Sequence, residues 1–115
     1  MAMQRLSIPA GTPLLIGAPA RPMEGHISAG IGALTASIDG IVEAHLPQMF
    51  AVNVMEEPAQ VLVLLLRPDA EVDEVIEQLG AALSGILPDG VHLDVWPIQT
   101  NHSMADDVRR AGCMV

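Results

Sequence analysis

Six apolar side chains, Val61-Leu62-Val63-Leu64-Leu65-Leu66, stand in a row between Gln60 and Arg67. Successive side chains of a β-strand point to opposite faces, so a half-covered strand alternates apolar and polar residues. This run does not alternate. Its two faces must both be covered, which makes it a central strand of a sheet packed on each side. The chain has 115 residues and a formal net charge of −9. Whatever covers the second face has to come from few remaining apolar elements, or from another chain.

The flanking segments supply the candidates. "PLLIG" (13–17) is a short aliphatic strand, followed by the Pro-rich turn "APARP" (18–22). Met23, Ile27, Ile31, Leu34 and Ile38 recur at steps of three and four and predict a helix over 23–38. Its glycines, Gly25, Gly30 and Gly32, each cost up to about 1 kcal/mol relative to Ala, and Asp39-Gly40 ends it. Residues 41–55 form a long strand with an irregularity at Pro47-Gln48, where the missing N–H demands an edge or a bulge. Residues 60–67 return antiparallel to it. Asp69 is placed to cap a helix over 70–86 with the stripe Val72, Val75, Ile76, Leu79, Leu83 and Ile86. "VHLDVWPI" (91–98) alternates as a half-covered strand, and Ser103 with Asp106 resembles a capping box opening a short helix that Gly112 stops.

Strand, helix, strand, strand, helix, strand and a final short helix is the order of the split β-α-β, ferredoxin-like α+β fold. The expectation is a four-stranded antiparallel sheet with two helices on one face and the small C-terminal helix apart. The first and third strands are then central, and the second and fourth are edges. One domain spanning 8–115 is expected after a flexible start at 1–7.

Composition excludes several functions. There is no lysine, and five arginines stand against fourteen acids. Phosphate neutralisation needs the opposite sign, so neither nucleic acid nor an anionic membrane surface is an expected partner. No run reaches the roughly 18–20 apolar residues of a membrane span, and Pro9, Gly11 and Pro13 interrupt the apolar start, so a cytoplasmic protein is expected. A single cysteine, Cys113, rules out an internal disulfide. Arg109 and Arg110 are near it in sequence, but a position close to the end of the chain holds catalytic geometry poorly, so Cys113 is not read as catalytic.

No phosphate loop is present, and no cofactor or metal is expected. Glu43 and His45 share one strand face, as do His92 and Asp94. As opposite edges of the expected sheet they stand three strand spacings, roughly 14 Å, apart, too far for one metal ion, and are read as solvated edge residues. "NHSMADD" (101–107) has the letters of a Ser–His–Asp triad but lacks a buried orienting carboxylate.

Several motifs resemble a known family. "IPAGTPLLIGAPARP" (8–22) looks like the opening of the C-terminal domain of the SseB (enhanced serine sensitivity) family, with its "GxPxxxP"-like turn at Gly17-Ala18-Pro19-Ala20-Arg21-Pro22. Val42-Glu43-Ala44-His45-Leu46 is similar to the family's "V..A.L" strand. "LPDGVHLDVWPI" is similar to its "LPxGxxVDxxPL" element, through Leu87, Pro88, Gly90, Asp94 and Pro97. The resemblance runs from about residue 8 through the Ser103–Gly112 helix. It implies an accessory or interaction domain and carries no catalytic residues with it.

The expected function follows from the unalternating run. Two helices cover one face of a sheet, and a final helix of about ten residues is too short to cover the other. The uncovered face is expected to meet another chain, as a homodimer or a protein partner. Leu62, Leu64 and Leu66 would carry it, or their neighbours Val61, Val63 and Leu65, together with Met49, Met55 and Trp96. Two alternatives stand beside this non-catalytic role. One is a small enzyme or ligand-binding domain with its site at the dimer interface, in which Trp96, His92 and Asp94 are the first residues to test. The other is an acidic immunity- or chaperone-like protein that meets a basic partner through Glu71, Glu74 and Glu77.

Overall fold

A computed structural model of the chain describes residues 3–115; Met1 and Ala2, within the expected flexible start, lie outside the described residues. The elements in chain order are β1 (Met3–Arg5), β2 (Leu14–Gly17), α1 (Gly25–Ser37), β3 (Ile41–His45), β4 (Gln48–Ala51), β5 (Ala59–Leu66), α2 (Val72–Leu83), β6 (Leu93–Gln99) and α3 (Ala105–Arg110). The class is α+β.

The sheet differs from the ferredoxin-like expectation. It is mixed and six-stranded, ordered β1-β6-β5-β4-β2, with β3 also paired to β5. The central strand is the apolar run, as expected. Its neighbours are not. The strand at 93–99 pairs with it directly and in parallel, Val61 opposite Asp94 through Leu66 opposite Gln99. Helix α2 makes the crossover that a parallel pair requires. The short strand at 14–17, expected between them, lies at the far edge against β4. Met3–Arg5, expected to precede the domain, adds a second parallel pairing on β6. The four-stranded antiparallel sheet is therefore overturned in strand number, order and direction.

The expected long strand at 41–55 is two strands. Residues 41–45 pair with the C-terminal half of β5, and Gln48 and Met49 with its start. Pro47 sits at the bend, where its missing N–H costs no ladder bond. Gln60 secures the bend by donating its side-chain amide to the Leu46 carbonyl at 3.0 Å.

Both helices cover one face of the sheet. Ile27, Ile31 and Ile38 from the first helical segment and Val75, Leu79 and Leu83 from α2 pack on Leu62, Leu64 and Leu66, with Leu93 and Val95 beside them. The helices begin without the anticipated caps. Asp69 does not cap α2, because its carboxylate accepts from Arg67 at 3.2 Å. Ser103 does not cap α3; the ring nitrogen Nδ1 of His102 accepts the Met104 N–H instead, at 3.0 Å.

Gly40 closes the α1–β3 turn with φ +98°, a conformation that L side chains rarely adopt. A Cβ there would also stand 3.1 Å from the Ala70 methyl. Its carbonyl accepts the Arg67 N–H, joining the turn to the end of β5.

Candidate functional site

The second face of β5 is covered from within the chain. Val61, Val63 and Leu65 pack with Met49, Trp96 and Ile98 beneath Ala105 and Val108 of α3. Leu6, Ile8, Leu14 and Ile16 close the rest. The short helix alone could not shield this face; the N-terminal segment, laid across it, does the other part. This removes the premise on which an interface was placed there. Leu62, Leu64 and Leu66 are buried under the two long helices, Met49 and Trp96 are buried on the opposite face, and Met55 is partly buried against it.

The acidic residues Glu71, Glu74 and Glu77 are all exposed along α2, and their neighbour Asp73 is paired with Arg5 at 2.8 Å. His92 precedes β6, while Glu43 and His45 lie on β3 with β5 between. Among the described residues, no group of three or more His, Cys, Asp or Glu side chains is placed to hold a metal ion.

Glu43 and His45 are not a solvated edge pair. His45 is 1% exposed, and its Nε2 lies 3.0 Å from Glu43 Oε1. A carboxylate partner requires the proton on Nε2, and the buried Nδ1 has no hydrogen-bond partner among the described residues. Arg109 of α3 grips the same carboxylate through Nε and Nη2, at 2.8–3.1 Å, while its Nη1 reaches Asp106 at 3.1 Å. Hydrogen bonding from Arg109 holds the Glu43 carboxyl below the usual glutamate range, with His45 adding to this and burial opposing it. A carboxylate spent between a guanidinium and an imidazole is a poor proton acceptor. The cluster is a clasp that fastens α3 to the sheet, and sequence spacing had no way to bring in Arg109. Burial pushes the Cys113 thiol up, away from the thiolate a nucleophile needs.

β2 forms one edge of the sheet, opposite the β1 edge. Its phase follows from one hydrogen bond: the Val52 N–H donates to the Pro13 carbonyl. With Leu15 opposite Phe50 and Gly17 opposite Gln48, positions 13, 15 and 17 face β4. The N–H and C=O groups of Leu14 and Ile16 then point away from the sheet. Among the described residues, no strand follows β2 in the sheet order. Leu14 and Ile16 turn their side chains onto the core under α3, whereas Leu15, on the opposite face, is 71% exposed.

A groove lies on each side of this edge. One, about 540 Å³, runs between β2 and α3 and is bordered by Met104, Ala111 and the Asp107–Arg110 ion pair. The other, about 290 Å³, is bordered by Leu15, Phe50 and Pro58. Natural sheets protect their edges with charges, most often lysine. Residues 6–20 contain no charged side chain.

Comparison of the chain with protein-family models, with curated proteins and with solved structures finds no match in any of the three.

Proposed function

We propose that this chain is a non-catalytic protein-binding domain that takes an extended segment of a partner protein as an added strand along β2. The carrying observation is the β2 edge itself: outward backbone groups at Leu14 and Ile16, an exposed Leu15 and a groove on either side. Strand addition draws affinity from main-chain hydrogen bonds and specificity from pockets that accept alternate side chains. Both parts are present. The strand runs only from Leu14 to Gly17, so its outward groups are those of Leu14 and Ile16 and the added strand is short. An interaction domain is also what the resemblance to the SseB C-terminal domain implies.

The chemistry of the partner follows from its surroundings. Apolar side chains at alternate positions suit the two grooves. A basic flank suits Glu56 and Glu57, which precede Pro58 at the rim of the smaller groove. A second copy of a chain of net charge −9 is repelled by the same field, so a separate protein is the better occupant.

Amide exchange tests the reading at single residues. In the free protein the Leu14 and Ile16 amides exchange fast and those of Leu15 and Gly17 slowly. Addition of a lysine-flanked peptide with alternating apolar residues slows Leu14 and Ile16 and nothing on β3. Leu15→Lys abolishes that protection while leaving the melting temperature unchanged. Peptide-induced protection elsewhere, or none at Leu14 and Ile16 across a peptide library, removes the proposal. Protection of both in the free protein that rises with protein concentration assigns the edge to a second copy instead.

A further inference from the structure

Helix α3 stands between the β2 edge and the Glu43 cluster, and its residues divide between the two. Successive residues of an α-helix turn by about 100°. Ala105 and Val108 then share one face, and both are buried on the sheet. Met104, Asp107 and Ala111 fall to one side of that face, with Arg110 beyond them. These are the residues of this segment that border the larger β2 groove. Arg109 falls to the other side, with Asp106 beyond it, and Arg109 reaches Glu43 of β3.

The two sides of the helix are held differently. Toward β2 the contact is apolar, with Leu14 and Ile16 packed on the cluster that contains Ala105 and Val108. Two small buried side chains set how deep the helix sits but not its roll about its own axis. The Asp107–Arg110 pair, at 2.6 Å, closes within the helix itself. Toward β3 the contact is directional. The Arg109 fork meets the Glu43 carboxylate at 2.8–3.1 Å, and the buried His45 ring holds that carboxylate from the sheet at 3.0 Å. A planar fork on a held carboxylate fixes direction as well as distance. Past the helix, the Cys113 carbonyl accepts the Leu46 N–H and the Val115 N–H donates to the Ala44 carbonyl, each at 2.9 Å. The segment that follows α3 is therefore tied to β3 as well.

We propose that Arg109 and Glu43 are positioning residues for the β2 site: they fix the roll of α3 from the β3 side, and so set the width of the larger groove and the fit of the partner's side chains. This rests on the reading of β2 as the edge that takes an added strand. Neither residue borders the groove. With the clasp open, Arg109 keeps Asp106, a residue of its own helix, at 3.1 Å. The wall formed by Met104 and Ala111 then turns with the helix. A site whose supporting contact is lost keeps its residues and loses its dimensions.

The probe is a lysine-flanked peptide of alternating leucine and valine, which carries apolar side chains to both grooves. Its affinity is read from the Leu14 and Ile16 amide resonances in the parent, Arg109→Gln, Glu43→Gln and the double variant. Substitutions that touch no ligand change affinity at a coupled site by about two- to thirtyfold, and each single variant is expected to lose affinity within that range. The double variant loses no more than the weaker-binding single one, because either change already opens the clasp. Arg109→Lys keeps the charge without the fork and falls between the parent and Arg109→Gln. Arg67→Gln removes the same charge at the end of β5 and binds as the parent does. In the free protein, Arg109→Gln moves the Met104 methyl resonance and leaves the Phe50 ring resonances, at the other groove, in place. Far-ultraviolet dichroism at the titration temperature shows that each variant is folded. Equal affinity in the parent and the clasp variants, an unmoved Met104 methyl, or single losses that add in the double variant overturns the proposal and leaves the β2 reading standing. An equal change in Arg67→Gln reduces the effect to net charge and overturns it too. A parent with no response at Leu14 and Ile16 removes the β2 reading, and this inference with it.

Discussion

Truncation of Leu65 to alanine tests the most consequential structural fact, that the second face of the sheet is covered by the chain itself. Leu65 is fully buried among Val61, Val63, Trp96 and the α3 residues. Leu65→Ala deletes three carbons, and at about 0.8 kcal/mol for each buried methylene the transfer part alone is roughly 2.4 kcal/mol. Residual cavity adds to this, because a packed interior closes only in part, so a total of about 3–4 kcal/mol is expected. Leu64→Ala, on the helix-covered face, should cost about the same, since Leu64 is equally buried. Leu15→Ala, on the exposed side of β2, should stay within about 0.5 kcal/mol of the parent. A domain of this length is expected to have roughly 6–17 kcal/mol of stability, so the core variants remain measurable by urea unfolding.

Protein concentration decides between the two sources of cover. If α3 and the N-terminal segment bury Leu65, unfolding is a one-chain event, and the midpoint is the same over a hundredfold range of concentration. If a second chain supplied the cover, association would stabilise the fold by mass action, by about 2.7 kcal/mol per hundredfold. A Leu65→Ala cost below about 1 kcal/mol, or a parent midpoint that climbs with concentration by the association value, would refute the intramolecular account.

The Glu43–Arg109 clasp makes a pH prediction. The folded Glu43 carboxyl lies below the usual range, so its stabilisation is complete above the unfolded value near about 4.3 and is lost as pH falls through the lower folded value. Acid unfolding curves should show Glu43→Gln less stable than the parent at neutral pH, with the gap closing on acidification and already narrowed in an Arg109→Ala background; a gap that is constant with pH sinks this account. Gly40→Ala should destabilise by about 1–2 kcal/mol through its positive φ, and more where the new methyl meets Ala70. Gly90→Ala, at φ +82° with open space around it, should show the backbone part only, and equal costs at the two sites would mean that the Ala70 contact relaxes freely.

Much of the element list was legible in the sequence because it rests on local periodicity. The stripe Val75, Leu79 and Leu83 and the unalternating run at 61–66 have the same meaning in isolation as in the fold. Pro47 marked the break in the strand before β5 for an equally local reason. Pairing order had no such signal. Met3–Arg5 is a strand of three residues with only Met3 buried, too short for any pattern, and its partner β6 lies about ninety positions away in sequence. The caps failed for a related reason: Asp69 and Ser103 have capping chemistry, but Arg67 claims the first and His102 takes the place of the second.

The step that fails in sequence terms is the count of covering elements. Helices announce themselves by period, so only helices were set against the two faces of β5. Irregular chain covers a face as well as a helix does when its apolar residues are spaced to reach it. Leu6, Ile8, Leu14 and Ile16 do this across a stretch broken by Pro9, Gly11 and Pro13. Those same breakers give the stretch no helical or long strand register, and so hide it from a periodicity search. Moving the first strand to the far edge is the other half of that arrangement. Had residues 14–17 been inserted between β5 and β6, Leu14 and Ile16 could not close the space beside α3, and the sheet would have lacked its β2 edge. The segment that completes the core is thus the segment whose outer backbone groups point away from the sheet, and a substitution such as Leu15→Lys reaches one without disturbing the other.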